Sequence, residues 1–158
     1  MMYLAIDPGF SGALAWLDTA GSLQILDMPT LAVKRNGKNK TELDLAALAH
    51  AIALRPADRV TLEKVGAMPG QGTSSMFAFG RGVGQLEGII AALQMPVSYA
   101  APAAWKKAMQ VPAGKDGARL RASQLMPAYA GEWRRAKDDG RAEAALIALY
   151  ALTHGGGQ

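Results

Sequence analysis

The strongest constraint on the fold lies between residues 3 and 17. Tyr3, Leu4, Ala5 and Ile6 form a short apolar run that ends in Asp7-Pro8-Gly9. After Gly12 a second run follows: Ala13, Leu14, Ala15, Trp16 and Leu17. Apolar runs of this length between turn residues predict buried strands at 3–6 and 13–17. Pro8 has no backbone donor, so the first strand ends there. Gly9 and Gly12 permit a sharp reversal between the two. The carboxylate of Asp7 is thereby held at the end of a buried strand, where an unpartnered charge is costly. Two readings follow. Asp7 caps the turn, since Asp-Pro-Gly is common turn chemistry, or it is a ligand for a divalent metal ion.

The remaining chain is expected to build a single domain over 1–154, with the glycine tail 155–158 disordered. Half of its 158 residues are apolar and none is cysteine. The lack of cysteine excludes a disulfide framework and thiolate metal sites and fits a reducing, cytoplasmic location. No basic stretch precedes an apolar core at the N-terminus, so no secretory leader is expected. No run approaches the ~20 apolar residues of a membrane span. The net charge is +4 and unevenly placed. Lys34, Arg35, Lys38 and Lys40 form one acid-free cluster; the segment 101–137 carries eight basic residues against Asp116 and Glu132. Such a surface suits a polyanion; the alternative is ordinary solvated charge.

Along the chain, a third strand at 23–28 follows the Ala20-Gly21-Ser22 turn and completes an antiparallel meander. Residues 30–39 read as a polar, basic loop and Thr41 as the N-cap of a helix over 42–54. A fourth strand at 59–65 follows that helix, so it is free to run parallel to an earlier strand. It carries Glu63 inside an apolar run. The irregular 66–73 segment reads as a mobile loop. A helix from Ser74 or Ser75 to 93 has Gly80, Gly84 and Gly88 on one face. Each interior glycine costs about 1 kcal/mol against alanine, so something should approach that face closely, either the sheet or a partner. A short strand at 96–100 precedes helices at 102–109 and 114–126 and an ambiguous turn of helix at 127–135. The last helix, 139–153, is apolar nearly all round and is expected to be buried.

Four acids stand out by position: Asp7, Glu63, Asp139 and Glu143. Asp139 and Glu143, four apart, share a helix face and repel unless a cation lies between them. As an alternative, Asp138 or Asp139 caps the helix and Glu143 complements its dipole. Oxygen-only ligands suit Mg²⁺ or Mn²⁺. Two such ions can activate water and stabilise the leaving oxygen of a phosphodiester.

The order of strands, helices and acids resembles the RNase H-like nucleases, an α/β fold with a five-stranded mixed sheet and helices on both faces. Within it the chain resembles the RuvC family of Holliday junction resolvases, especially its small phage-type members. The matching segments are Ala5-Ile6-Asp7-Pro8-Gly9 with Gly12-Ala13-Leu14-Ala15, and Leu62-Glu63-Lys64-Val65. Further matches are the run from Gly80 to Gly88, Ala103-Ala104-Trp105-Lys106-Lys107, and the run from Lys137 to Leu146. The resemblance spans nearly the whole chain. It implies that Asp7, Glu63, Asp139 and Glu143 hold two Mg²⁺ or Mn²⁺ ions per site. It also implies paired, symmetric nicks in four-way DNA junctions, in a bacterial or phage-infected cell, by a homodimer joined along the glycine-striped helix. Lys64, Arg81, Lys106, Lys107, Lys115 and Arg119 are candidates for holding phosphates. Two features depart from the family pattern. Bacterial relatives carry two Asp three apart where this chain has Asp139 and Glu143, which makes Asp138 a rival ligand. They also place an aromatic wedge after the strand glutamate, where this chain offers only Met68 before Phe77.

Two other classes fit parts of the pattern. The actin–hexokinase phosphotransferases also begin with an acid and glycines on a β-hairpin, but they need a second half to close over ATP. A non-catalytic junction-binding module would keep the basic surface and be free to lose an acid, yet all four are present.

Overall fold

The structure, a computed structural model, describes residues 1–66, 70 and 72–155. Three strands form the expected meander: β1 (Met2–Ile6), β2 (Ala13–Asp18) and β3 (Leu23–Asp27). β6 (Arg59–Glu63) pairs parallel to β1, with Ile6 opposite Leu62, and β7 (Val97–Ala100) pairs parallel to β6. The five-stranded order is β3-β2-β1-β6-β7. The sheet is mixed because α1 (Leu45–Leu54) returns the chain to run alongside β1, as a crossover helix must.

The 30–39 segment is not a loop. Thr30–Arg35 (β4) and Lys38–Leu43 (β5) form a separate two-stranded hairpin. Its turn is Asn36-Gly37, with φ of 51° and 72°. Positive φ at both positions is what a two-residue hairpin turn demands, and Asn-Gly is its strongest sequence signal. This hairpin also corrects the expected helix start. Thr41 and Glu42 belong to β5, and Asp44 is the cap, its Oδ1 accepting from the Ala47 N–H at 3.0 Å. The helix predicted at 114–126 begins later, as α4 (Gly117–Leu125), because Gly114 sits at φ 105°, outside helical space. Pro127–Trp133 is a 3₁₀ turn.

The two sheet faces differ in side-chain size. Leu4, Ile6, Leu14, Trp16, Val60 and Leu62 face α1 and α2 (Thr73–Ala92), where Leu48, Ile52, Leu86 and Ile90 meet them. The opposite face presents Ala5, Ala13, Ala15 and Leu17. Against it lies α5 (Asp139–His154), itself rich in small residues: Ala142, Ala144, Ala145 and Ala148. α3 (Pro102–Ala108) and α4 flank α5, with Trp105 and Trp133 closing the sides. Small residues on both surfaces let the α5 backbone approach the sheet closely. The approach is tightest at Gly140, where a Cβ would overlap the Ser11 carbonyl and the Gly12 backbone. No helix among the described residues is long and apolar enough to cross a membrane.

Gly140→Ala is expected to lower stability by about 2–3 kcal/mol, because backbone rather than a flexible side chain must yield. Urea titration followed by circular dichroism measures it; an unchanged midpoint would show that α5 sits less tightly on the β1–β2 turn than described.

Candidate active site

The two central strands end side by side. Asp7 is the first residue beyond β1, and Glu63 is the last residue of the neighbouring β6. The first turns of α5, pressed against the β1–β2 turn through Gly140, bring Glu143 and Asp139 to the same end. α3 adds Trp105 and Lys106 from the far side.

Glu63 is 8% exposed, and its Oε1 accepts from the fully buried Trp105 Nε1–H at 2.9 Å. Burial, then the charge of Glu143, pushes the Glu63 carboxyl up, against the opposing Trp105 bond and Lys106. Asp7 responds more strongly. Burial first, then Glu143 and Glu63, pushes it up to about 7, while the Gly9 N–H and Lys106 pull down. Lys106 Nζ stands 3.0 Å from Glu143 Oε1 and 5.1 Å from the Trp105 ring centroid. An ammonium is therefore the counter-charge of the three acids.

Asp139 and Asp138 have different surroundings. Arg119 Nε donates to Asp139 Oδ1 at 2.6 Å, and the same guanidinium pairs with Asp116. Asp138 is buried and faces Arg135. Its Oδ2 accepts from the Arg135 backbone N–H at 2.9 Å, and its Oδ1 from Nη2 at 2.8 Å. Those bonds pull the Asp138 carboxyl down to about 2. The rival ligand is thus occupied with capping the 3₁₀ turn that leads into α5.

Of the residues expected on phosphates, Lys64, Lys107 and Lys115 are exposed, and Arg81 is exposed with Glu42 at 3.8 Å. Lys106 and Arg119 are engaged with Glu143 and Asp139. Lys115 lines a cleft of about 440 Å³ with Lys106, Asp139 and Glu143, so one wall of the site is basic. Met68 lies outside the described residues. Gly80, Gly84 and Gly88 are exposed, and among the described residues a Cβ at any of them would meet nothing within 4 Å. The stripe therefore does not pack on the sheet. The buried glycine of that helix is Gly82, against Leu43 of β5. Trp105 received no role from the sequence; a strand glutamate needing a donor was the signal that should have raised it.

The donor set suits a hard divalent cation. It is carboxylate only, and burial first, then the charges of Glu143 and Glu63, push the Asp7 carboxyl up to about 7, a cost that a cation relieves. Among the described residues, no three of His, Asp and Glu converge closely enough to enclose one ion as they stand. Binding therefore asks for side-chain rotation, with Glu143 turning from Lys106.

No family model matches the sequence, and no curated protein matches it either. Solved structures do match the fold. Thermus thermophilus RuvC superposes with a TM-score of 0.63 at 16% identity, covering 99% of both chains. T. thermophilus RuvC in complex with Holliday junction substrate gives 0.60 at 16% identity over 96% of this chain and 95% of the other. The yeast mitochondrial Holliday junction resolvase Ydc2 gives 0.58 at 13% identity, over 95% of this chain and 77% of the other. The chain has the RuvC-like form of the RNase H-like fold over nearly its full length.

The raised Asp7 carboxyl fixes a pH dependence. Unfolded Asp7 ionises near pH ~4, whereas the native group keeps its proton to about 7. The native state binds more protons in that window, so stability falls as pH rises from ~4 to ~7 and levels off above. In metal-free buffer Asp7→Asn should remove most of this fall and be more stable than the parent at pH 8 by about 1–3 kcal/mol. Urea midpoints across pH measure the difference. Millimolar Mg²⁺ should stabilise the parent at pH 8 more than at pH 5; equal stabilisation at both would detach Asp7 from cation binding.

Proposed function

We propose that the protein is a metal-dependent endonuclease that resolves four-way DNA junctions by paired nicks. One observation carries the reading: on a RuvC-like fold, Asp7, Glu63 and Glu143 gather at the ends of two central strands, mutually repelling and balanced by a lysine. A binding module has no need to maintain that unfavourable charge.

Asp7, Glu63 and Glu143 would hold Mg²⁺ or Mn²⁺, with Asp139 joining if it is released from Arg119. When bound, the metal supplies an activated water and stabilisation of the departing oxygen. The chain's own groups prepare that chemistry. Trp105 fixes Glu63 in one orientation through its 2.9 Å bond. Asp7, its carboxyl pushed up to about 7, would have to give up its proton to serve as a ligand, which would couple activity to pH. Lys106, which pairs with Glu143 at 3.0 Å, would be placed to offset charge developing on a bound phosphate once Glu143 turned to a cation. The exposed Lys107 and Lys115 hold flanking phosphates and position the substrate without reading sequence.

Glu63→Gln and Asp7→Asn are expected to abolish Mg²⁺-dependent cleavage of a four-way junction while leaving junction affinity intact or improved. Asp138→Asn should keep cleavage but lower stability by about 1 kcal/mol, the value of a lost cap; Asp139→Asn should cost more activity than Asp138→Asn. Gel assays of a junction, a fork and a duplex, with and without metal, measure this. Cutting of all three alike, or full activity without Glu63, would refute the reading.

We further infer a two-fold homodimer along the outer face of α2, since paired cuts need two sites. The open glycine stripe and the apolar cleft formed beside it by Val65, Met76, Phe79 and Val83 support it. Gly84→Leu should give monomers in sedimentation at tens of micromolar, a native dichroism spectrum and single nicks in place of paired ones. A monomeric parent protein that still resolves junctions would overturn the dimer.

A further inference from the structure

The β4–β5 ribbon stands outside the main sheet and is anchored at its base. There the Met28 N–H donates to the Gly12 carbonyl at 3.0 Å, and the Asp44 N–H to the Pro29 carbonyl at 2.9 Å. The base therefore adjoins the β1–β2 turn, at the candidate active-site end of the sheet. Beyond it both faces are open, and every residue from Lys34 to Thr41 is exposed. At about 3.4 Å per residue, each strand of the ribbon reaches about 20 Å.

The register arranges the charge. Arg35 lies directly opposite Lys38, and Lys40 follows two residues on, so three cations share one face. Lys34 lies opposite Asn39 on the other face. Like charges directly opposed across strands are destabilising. Glu42 is the single acid of the ribbon and pairs with Arg35 at 2.9 Å. Four cations against one acid leave the ribbon strongly positive. Packing needs none of this charge, since Leu43 is the residue that joins the core.

We propose that the ribbon enters the major groove of an intact duplex DNA arm, with Arg35, Lys38 and Lys40 turned to guanine edges and flanking phosphates. Three features select this occupant. A polyanion offsets the opposed cations. Two strands about 4.8 Å apart form a ribbon of the width that a groove about 12 Å wide admits. Arginine and lysine match the N7 and O6 acceptors that guanine presents in that groove. An acidic protein would satisfy the first feature alone. The major groove of an RNA helix is too deep and narrow for side chains to read. The inference rests on the junction-nuclease reading in taking DNA as the ligand, and it adds a contact on a fully paired arm.

The test uses metal-free buffer, so that cleavage plays no part. The protein is bound to a linear duplex and to a four-way junction across a salt series. The complexes are then treated with dimethyl sulfate, which methylates guanine N7 in the major groove and adenine N3 in the minor groove. A stretch of protected guanine N7 is expected on a paired arm. Lys38→Ala with Lys40→Ala should abolish that protection and flatten the slope of log K against log salt by about 1–2. Both side chains are exposed, so the dichroism spectrum and Tm should stay unchanged. Lys38→Arg with Lys40→Arg should keep the protection and the slope. Binding to duplex RNA of the same sequence should not depend on Lys38 and Lys40. Protection of adenine N3 in place of guanine N7, an unchanged slope, or an equal loss on duplex RNA would overturn the proposal even if junction cleavage is intact. Ribbon-dependent N7 protection in a protein that cuts no DNA would uphold the ribbon contact and remove the nuclease reading.

Discussion

The close approach of α5 to the sheet is the constraint on which the rest depends. Alanines on β1 and β2 meet alanines on α5, and Gly140 rests on the Ser11–Gly12 backbone. Larger residues at these positions would hold the helix outward and carry Glu143 away from Asp7. The packing that stabilises the core thus also forces like charges together. The opposite sheet face, with its leucines, isoleucines and Trp16, carries the larger side chains and so is free of this demand.

Forcing acids together requires compensation, and the structure assigns each acid a different partner. Glu63 has an indole N–H, Glu143 an ammonium, Asp139 and Asp138 each a guanidinium. Among the described residues the Asp7 side chain accepts only from the Gly9 amide at 3.5 Å, and its carboxyl is pushed furthest from ordinary carboxylate behaviour. The acid with the weakest partner is the one that opens the β1–β2 turn.

Much of this was legible in the residues. Strand runs broken by Asp7-Pro8-Gly9, the acid inside 59–65 and the all-round apolar helix gave the sheet, the buried helix and three of the acids that meet. Local misreadings came from favouring composition over turn chemistry. Four basic residues in 34–40 read as a loop, although Asn36-Gly37 specified a hairpin, and that error displaced the next helix cap from Asp44 to Thr41. The partners of Asp138 and Asp139 were beyond the sequence, because helix periodicity says which residues share a face and nothing about which arginine packs beside them. The glycine stripe is legible, but its surroundings depend on tertiary placement, and no described residue packs against it.

The hairpin has one more consequence. It forms no ladder with the main sheet and is tied down at its base by the Asp44 N–H to the Pro29 carbonyl and by Leu43 against Gly82. A two-stranded ribbon is marginal alone, so its opening should cost far less than global unfolding. Evolution can lengthen, recharge or delete such an appendage without renegotiating the core. The hairpin is then free to diverge at its own pace, while the acids at the strand ends stay fixed by packing.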